Sequence, residues 1–243
     1  MSNSTMGENI AIILAAGKGS RMGWTRGKTF LPLLGKPLLA WTLSVFEACE
    51  QIHKAILVVP PGREEEFTKA IVVPYCISKA KLVSGGPERQ DSIQNGFAAI
   101  QEPCQVVLIH DGARPLVTQK MLIQAVIGAQ EYGASVVAVP VKETIKIANK
   151  EGMVDKTLDR TKLWSAQTPQ AYQYHIIAQA LAQAKKENFY GTDDASLVER
   201  IGRPVRIVAG SYINIKVTTP EDFLLAEAIL RTTLCNNEPI KEG

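Results

Sequence analysis

Residues 14–33, LAAGKGSRMGWTRGKTFLPL, gather small residues and cations in a pattern suited to an anion. Ala15, Ala16, Gly17 and Gly19 lack bulk, so a ligand can approach the backbone closely and meet N–H groups aimed at phosphate oxygens. Lys18, Arg21, Arg26 and Lys28 add four cations within eleven positions. That clustering disfavours the plainer reading, a glycine-rich turn with solvated charges. Two phosphate motifs come close and fail on spacing. G-x-G-x-x-G from Gly17 needs glycine where Met22 stands, and no acidic residue follows at the expected distance, which disfavours hydride transfer. G-x-x-x-x-G-K-[ST] ending at Gly27-Lys28-Thr29 also needs glycine at 22, and Phe30-Leu31-Pro32 interrupts the helix that motif demands.

Three further places carry candidate chemistry. Asp111 follows the apolar run 106–109 and His110, so its carboxylate emerges at the same sheet edge as the glycine-rich loop. A hard divalent cation on a triphosphate takes one or two protein carboxylates, which makes Asp111 the candidate ligand for Mg2+; the alternative is a cap on the turn into Gly112. His110 reads as support for this loop rather than a titrating group. Arg114 offers a guanidinium fork that matches a sugar phosphate or its hydroxyls. The stretch Gly85-Gly86-Pro87-Glu88-Arg89-Gln90-Asp91-Ser92 has small residues where a ring can lie against backbone, or else is an ordinary helix start capped near Asp91 or Ser92. Lys216 sits in Asn214-Ile215-Lys216-Val217, read as a strand, where an inward lysine is costly without an anion and an edge lysine is simply solvated.

The elements that hold these residues follow a regular alternation. Apolar, β-branched runs at 10–15, 55–59, 106–109 and 135–139 read as buried parallel strands. Amphipathic stretches at 38–49, 63–71, 91–100, 119–132 and 174–185 read as helices between them. The fold class is therefore α/β, a mostly parallel sheet with helices on both faces. The alternation fails at 144–169, which reads as two short strands around Glu151-Gly152 and then an irregular segment: a sheet edge or an arm toward a partner subunit. Residues 205–208 and 213–217 read as further strands, and Thr219-Pro220-Glu221-Asp222 opens a last helix with a capping threonine and acids facing the dipole. One domain over 1–235 is expected, with a flexible tail at 236–243.

Composition narrows the class. A chain of 243 residues with 46% hydrophobic residues can bury roughly 70–75% of its unfolded surface without disulfides or structural metals. A net charge of +3 is too small for a general polyanion-binding surface, so nucleic acid is not an expected partner. Cys49, Cys76, Cys104 and Cys235 form no C-x-x-C pair, which argues against zinc knuckles and redox motifs and fits a cytoplasmic protein. No stretch approaches a membrane span or a signal sequence, so no membrane association is expected.

The loop resembles the nucleotidyltransferase signature L-A-A-G-x-G-x-R-M followed by a lysine. With GGPERQDSI (85–93), HDGARP (110–115), the VKETIK segment, DR (159–160), TPQ (168–170), TDDAS (192–196) and NIKVTTPED (214–222), the chain resembles the 2-C-methyl-D-erythritol 4-phosphate cytidylyltransferases of the non-mevalonate isoprenoid pathway over about residues 10–230. The family usually has proline before the loop lysine; here Gly27 stands there.

The resemblance implies a Rossmann-like three-layer fold, and transfer of CMP from CTP to the methylerythritol phosphate with Mg2+. It also implies a homodimer through a β-arm at about 144–169. Arg21, Lys28 and Lys216 are the implied catalytic cations. Ala15, Ala16, Gly17 and Gly19 are implied to hold the nucleotide. Gly86, Pro87 and Ser92 are implied to read the pyrimidine, and Arg89 either joins them or organises their loop. Asp111, Arg114, Thr144, Arg160 and Thr168 are the implied acceptor residues, with Arg160 and Thr168 reaching across the dimer. Two other readings share the same nucleotide side: a cytidylyltransferase for a pentitol phosphate such as ribitol 5-phosphate, and a non-catalytic nucleotide sensor.

Overall fold

The apolar runs form the middle of a seven-stranded sheet. A computed structural model describes residues 7–17, 27–101 and 103–237. The elements are β1 (Glu8–Leu14), β2 (Pro32–Leu33), β3 (Lys36–Pro37), α1 (Leu38–Ala48), β4 (Lys54–Val59), α2 (Glu64–Phe67), β5 (Ala80–Ser84), α3 (Arg89–Ala98), β6 (Cys104–Asp111), α4 (Gln119–Tyr132), β7 (Ala134–Pro140), β8 (Lys146–Ala148), β9 (Val154–Thr157), β10 (Trp164–Gln173), α5 (Tyr174–Glu187), α6 (Asp194–Arg200), β11 (Arg206–Ala209) and α7 (Pro220–Asn237). The strand order is β11-β7-β10-β6-β1-β4-β5, parallel except for β10, which runs antiparallel to both β6 and β7. The expected mostly parallel sheet is present.

β1 explains why its apolar run is continuous. Successive side chains point to opposite faces, and both faces are covered. Ala11 and Ile13 pack with Leu39, Leu43 and Phe46 of α1 and Leu122 and Val126 of α4. Ile10 and Ile12 pack with Ile93 of α3, Ile177 of α5 and Leu197 of α6. Fully burying a side chain such as Phe46 stabilises the fold by roughly 2–3 kcal/mol. A third cluster, with Leu31, Leu33, Ala113, Val217 and Leu230, docks α7 and fixes the backbone beside Lys28 and Lys216.

Two expectations are corrected. Residues 164–169, read as part of an irregular segment, belong to the ten-residue strand β10 (Trp164–Gln173) inside the main sheet. Its Thr168-Pro169 step coincides with a register shift between Ala166 and Gln170, where a strand tolerates proline because the ladder is already interrupted. Residues 213–217, read as a strand, pair with none; Val217 instead donates its N–H to the Ala113 carbonyl at 2.8 Å. The last helix, whose opening at Thr219-Pro220 was expected, runs to Asn237, and residues 238–243 of the expected tail lie outside the described residues.

The expected hairpin at 144–169 exists as β8 and β9, a two-stranded sheet paired only with itself. Ile147, Met153 and Val154 on it are exposed. Its root is tied down where Arg160 donates to the Lys142 carbonyl at 3.0 Å and Tyr212 donates to the Pro140 carbonyl at 2.8 Å.

Candidate active site

The site lies at the carboxyl ends of β1 and β6, which are register neighbours: Leu14 faces Asp111, and Gly112 donates its N–H to the Leu14 carbonyl at 2.9 Å. This sheet edge is where ligands bind in open α/β folds. Ala15 is buried, its N–H bonded to the Val58 carbonyl, while Gly17 is exposed. Lys18, Gly19, Arg21 and Arg26 lie outside the described residues. Gly27 has φ of 91°, a value closed to proline, so the backbone into Lys28 follows a path that the proline implied by the resemblance could not take. Lys28 opens a 3-10 turn and donates to the Val217 carbonyl at 3.1 Å.

The loop after β5 meets the glycine-rich loop directly. A Cβ on Gly85 would sit 2.5 Å from Ala16 Cβ, and one on Gly86 would sit 2.3 Å from Asp91 Cβ, so both positions require glycine. Ser92 accepts the Gly86 N–H at 3.1 Å and closes the loop on itself. The cap of α3 is Glu88, in a capping box with Asp91, rather than Asp91 or Ser92.

Asp111 is the electrostatic centre. Burial alone would raise its carboxyl, but Arg89 and Lys216 outweigh that and hold it well below the usual carboxylate range. Lys216 Nζ lies 2.7 Å from Oδ2 and Arg89 Nε 3.4 Å from Oδ1. Lys216 is thus neither an edge lysine in water nor in a strand: it points at an anion of its own chain. Arg89 directs its other two nitrogens at Asp194, at 2.7 and 3.0 Å, so its guanidinium faces carboxylates and organises the loop. Arg114 donates to the Asn214 carbonyl at 2.7 Å, forms no ion pair among the described residues, and keeps Nε buried without a partner. Burial lowers its pKa, an effect that Asp111 partly offsets.

His110 is fully buried against Phe46, and burial pushes it down to about 3, so it stays neutral as a support. Thr168 is buried, its Oγ1 accepts the Asp111 N–H at 3.0 Å and meets His110 Nδ1 at 3.0 Å. It therefore holds the Asp111 backbone from beneath. Thr144 and Arg160 are exposed on the arm, and neither hydrogen-bonds to Lys28, Asp111, Arg114 or Lys216. Pro87 is exposed in the loop after β5.

Sequence reasoning missed Asp194 and Asn214. Asn214 donates to the Thr168 carbonyl at 3.0 Å and to Gln167 Oε1 at 3.1 Å, holding the segment that carries Lys216 against β10. The TDDAS motif contained Asp194, but its partner lies 105 residues away, so nothing local marks its role.

Small residues at the end of a central parallel strand, with lysines and an ionised aspartate converging on that edge from other segments, define the nucleotidyltransferase class. Similarity to known chains narrows the class. The profile for IspD, 2-C-methyl-D-erythritol 4-phosphate cytidylyltransferase, matches residues 9–232, and the chain belongs to that family. A relative of that name from Geobacillus kaustophilus is 50% identical over 226 residues, covering 92% of this chain and 97% of the relative. Another from Pelotomaculum thermopropionicum is 47% identical over 222 residues, covering 91% and 93%. The crystal structure of the 4-diphosphocytidyl-2C-methyl-D-erythritol synthase from Anaerococcus prevotii superposes with a TM-score of 0.83 at 31% identity, covering 95% of this chain and all of that one.

Proposed function

We propose that the chain transfers CMP from CTP to the phosphate of 2-C-methyl-D-erythritol 4-phosphate, giving 4-diphosphocytidyl-2-C-methyl-D-erythritol and pyrophosphate. Family membership over most of the chain supports the reaction, and the pairing of Lys216 with Asp111 is the observation in the site that carries it. An acceptor phosphate oxygen attacks the α-phosphorus in line; the new P–O bond forms as the bond to pyrophosphate breaks, with no covalent enzyme intermediate. Both reactants are anions, so positioning and fixed positive charge lower the barrier. Lys28 and Lys216 lie on neighbouring backbone and, with Arg21, are read as the cations that hold charge developing at phosphorus.

Ala15, Ala16, Gly17 and Gly19 are read as the phosphate cradle, and Gly86, Pro87 and Ser92 as the pyrimidine loop. The tight fit of Gly85 against Ala16 and Ser92 supports a pocket too small for a purine. Arg114, with its unpartnered buried Nε, is read as the acceptor ligand.

Asp111 fits a divalent cation: it is ionised, and magnesium on a triphosphate needs only one or two carboxylates. Among the described residues no cluster of three or more metal-ligating side chains exists, so the nucleotide supplies the remaining ligands in this reading. When bound, Mg2+ would neutralise the leaving pyrophosphate.

The exposed apolar side chains of the β8–β9 arm support a homodimer in which Arg160, with Thr168, reaches toward the partner's acceptor site, Thr144 being a further acceptor residue. Four free cysteines support a cytoplasmic location. Among the described residues no helix is long and apolar enough to cross a membrane.

The test is pyrophosphate release from each of the four nucleoside triphosphates, with methylerythritol phosphate or ribitol 5-phosphate as acceptor, with Mg2+ and with chelator. CTP with methylerythritol phosphate is the expected productive pair. Turnover with ribitol 5-phosphate alone would favour the pentitol reading, and no release with any pair would favour the sensor.

A further inference from the structure

The loop after β5 and the turn after β6 sit side by side, and a third segment locks them. Asp194, the first residue of α6, is 2% exposed and grips both terminal nitrogens of Arg89. Arg89 is left one N–H edge, Nε, and that edge faces Asp111. The same segment holds the next two residues of α3. Gln90 donates to the Phe189 carbonyl at 2.9 Å and accepts the Gly191 N–H at 3.0 Å, and Tyr190 donates to Asp91 at 3.1 Å. Phe189, Tyr190, Gly191 and Asp194 therefore fasten Arg89, Gln90 and Asp91 in register.

We infer that Asp194 is a positioning residue of the transfer site: it fixes the Arg89 guanidinium so that Nε stays on Asp111 and the loop around Gly86 stays in place. The inference rests on the proposed function and deepens it. Arginine has many rotamers, and without Asp194 its guanidinium is free to leave Asp111 or to swing across both oxygens of that carboxylate. Among the described residues Asp111 forms ion pairs with two cations, Arg89 and Lys216. When Lys216 turns to a phosphate, Arg89 is the one that stays, and only a fixed Arg89 keeps the carboxylate oriented. Arg89 acts through hydrogen-bond geometry, so lysine is not an equivalent replacement.

The experiment measures kcat, KM for CTP, CTP affinity by calorimetry and the melting midpoint of the full chain for Asp194→Asn, Arg89→Gln, the double variant, Arg89→Lys and Asp193→Ala. Asp194→Asn is expected to lower kcat/KM for CTP by about 30-fold, as a small misplacement at a reacting site does, and to weaken CTP binding. The double variant should lie within about threefold of Arg89→Gln, because a residue that acts through another adds nothing once that other is gone. Asp193 caps α6 through the Ser196 N–H and holds Gln170, without touching Arg89. Its alanine variant should lose melting midpoint and keep kcat/KM within about threefold, the pattern of structure without positioning.

Asp194→Asn within about threefold of wild type, multiplying losses in the double variant, or Asp193→Ala matching Asp194→Asn would each overturn the inference. If Asp194→Asn does not fold, Arg89→Lys decides: it should lose at least about tenfold, and full activity would sink the role. Failure of the wild type to release pyrophosphate from CTP sinks the reaction itself, whereas an active wild type with an indifferent Asp194→Asn sinks only the positioning role.

Discussion

Lys28 and Lys216 come from segments 188 positions apart in the chain, yet Lys28 donates at 3.1 Å to the carbonyl of Val217, the residue next to Lys216. The two ammonium groups are thereby tied to one short stretch of backbone. Lys28→Ala and Lys216→Ala are each expected to lower kcat by about a hundredfold, the usual consequence of deleting one fixed charge that stabilises a transition state. The check is steady-state pyrophosphate release at saturating CTP. Retention of most turnover by either variant would remove that lysine from the mechanism.

Gly85 has a separate and geometric role. Any β-carbon there meets Ala16 at 2.5 Å and Ser92 Oγ at 2.9 Å, with the Val59 carbonyl at 3.3 Å behind it. The backbone carbonyl cannot yield as a flexible side chain would, so Gly85→Ala has to push apart the two loops expected to flank the nucleotide. KM for CTP should rise by about tenfold while the melting midpoint moves little, because the strain is local to the loops. An unchanged KM would show that the two loops do not share a ligand.

Thr168 tests how Asp111 is held. Replacing it by valine keeps the volume but strands the Asp111 N–H and leaves His110 Nδ1 without its partner, both in the interior. Two unsatisfied buried groups at ordinary cost destabilise by about 2 kcal/mol or more. Thr168→Ser keeps the hydroxyl and should recover most of this. Urea denaturation of both variants measures it, and equal stability of Thr168→Val and wild type would mean that neither hydrogen bond of the Thr168 hydroxyl supports the fold.

The parallel strands were legible in the sequence because β1, β4, β6 and β7 are covered on both faces and so are apolar throughout. β10 was not, because Gln167, Thr168 and Gln170 are polar yet buried. Their partners, Ser211, the Asp111 N–H and Asp193, lie 23 to 57 residues away and leave no local trace. Residues 213–217 failed in the opposite sense: their apolar-polar alternation suits a strand, but they lie against β10 through the Asn214 side chain and form no ladder with it. In the site, Lys28 and Asp111 were legible from position after a strand and from family resemblance. The contact that orients Lys216, its pairing with Asp111, needed the fold.

Asp222 joins the last helix to the segment that carries Lys216, and its effect depends on pH. Its Oδ2 accepts from the Thr218 N–H at 2.8 Å, the Thr218 hydroxyl at 2.6 Å and the Thr219 N–H at 2.9 Å. Burial acts to raise its pKa, but these bonds outweigh it and hold the carboxyl below its ordinary value. A carboxylate whose folded pKa is depressed lends stability in full above its unfolded value, near 4 by the usual aspartate range, and loses it as pH falls through the lower folded value. At pH 7 Asp222→Asn is therefore expected to cost about 1 kcal/mol, the scale of a lost cap. Because Thr218 is two residues from Lys216, it should also lower kcat. The gap in stability should close as the acid range below about pH 4 is entered, where wild type loses the same charge. Denaturation of both proteins at pH 7 and at about pH 3 provides the comparison, and a gap of the same size at both values would mean that the ionised carboxylate is not what holds the segment.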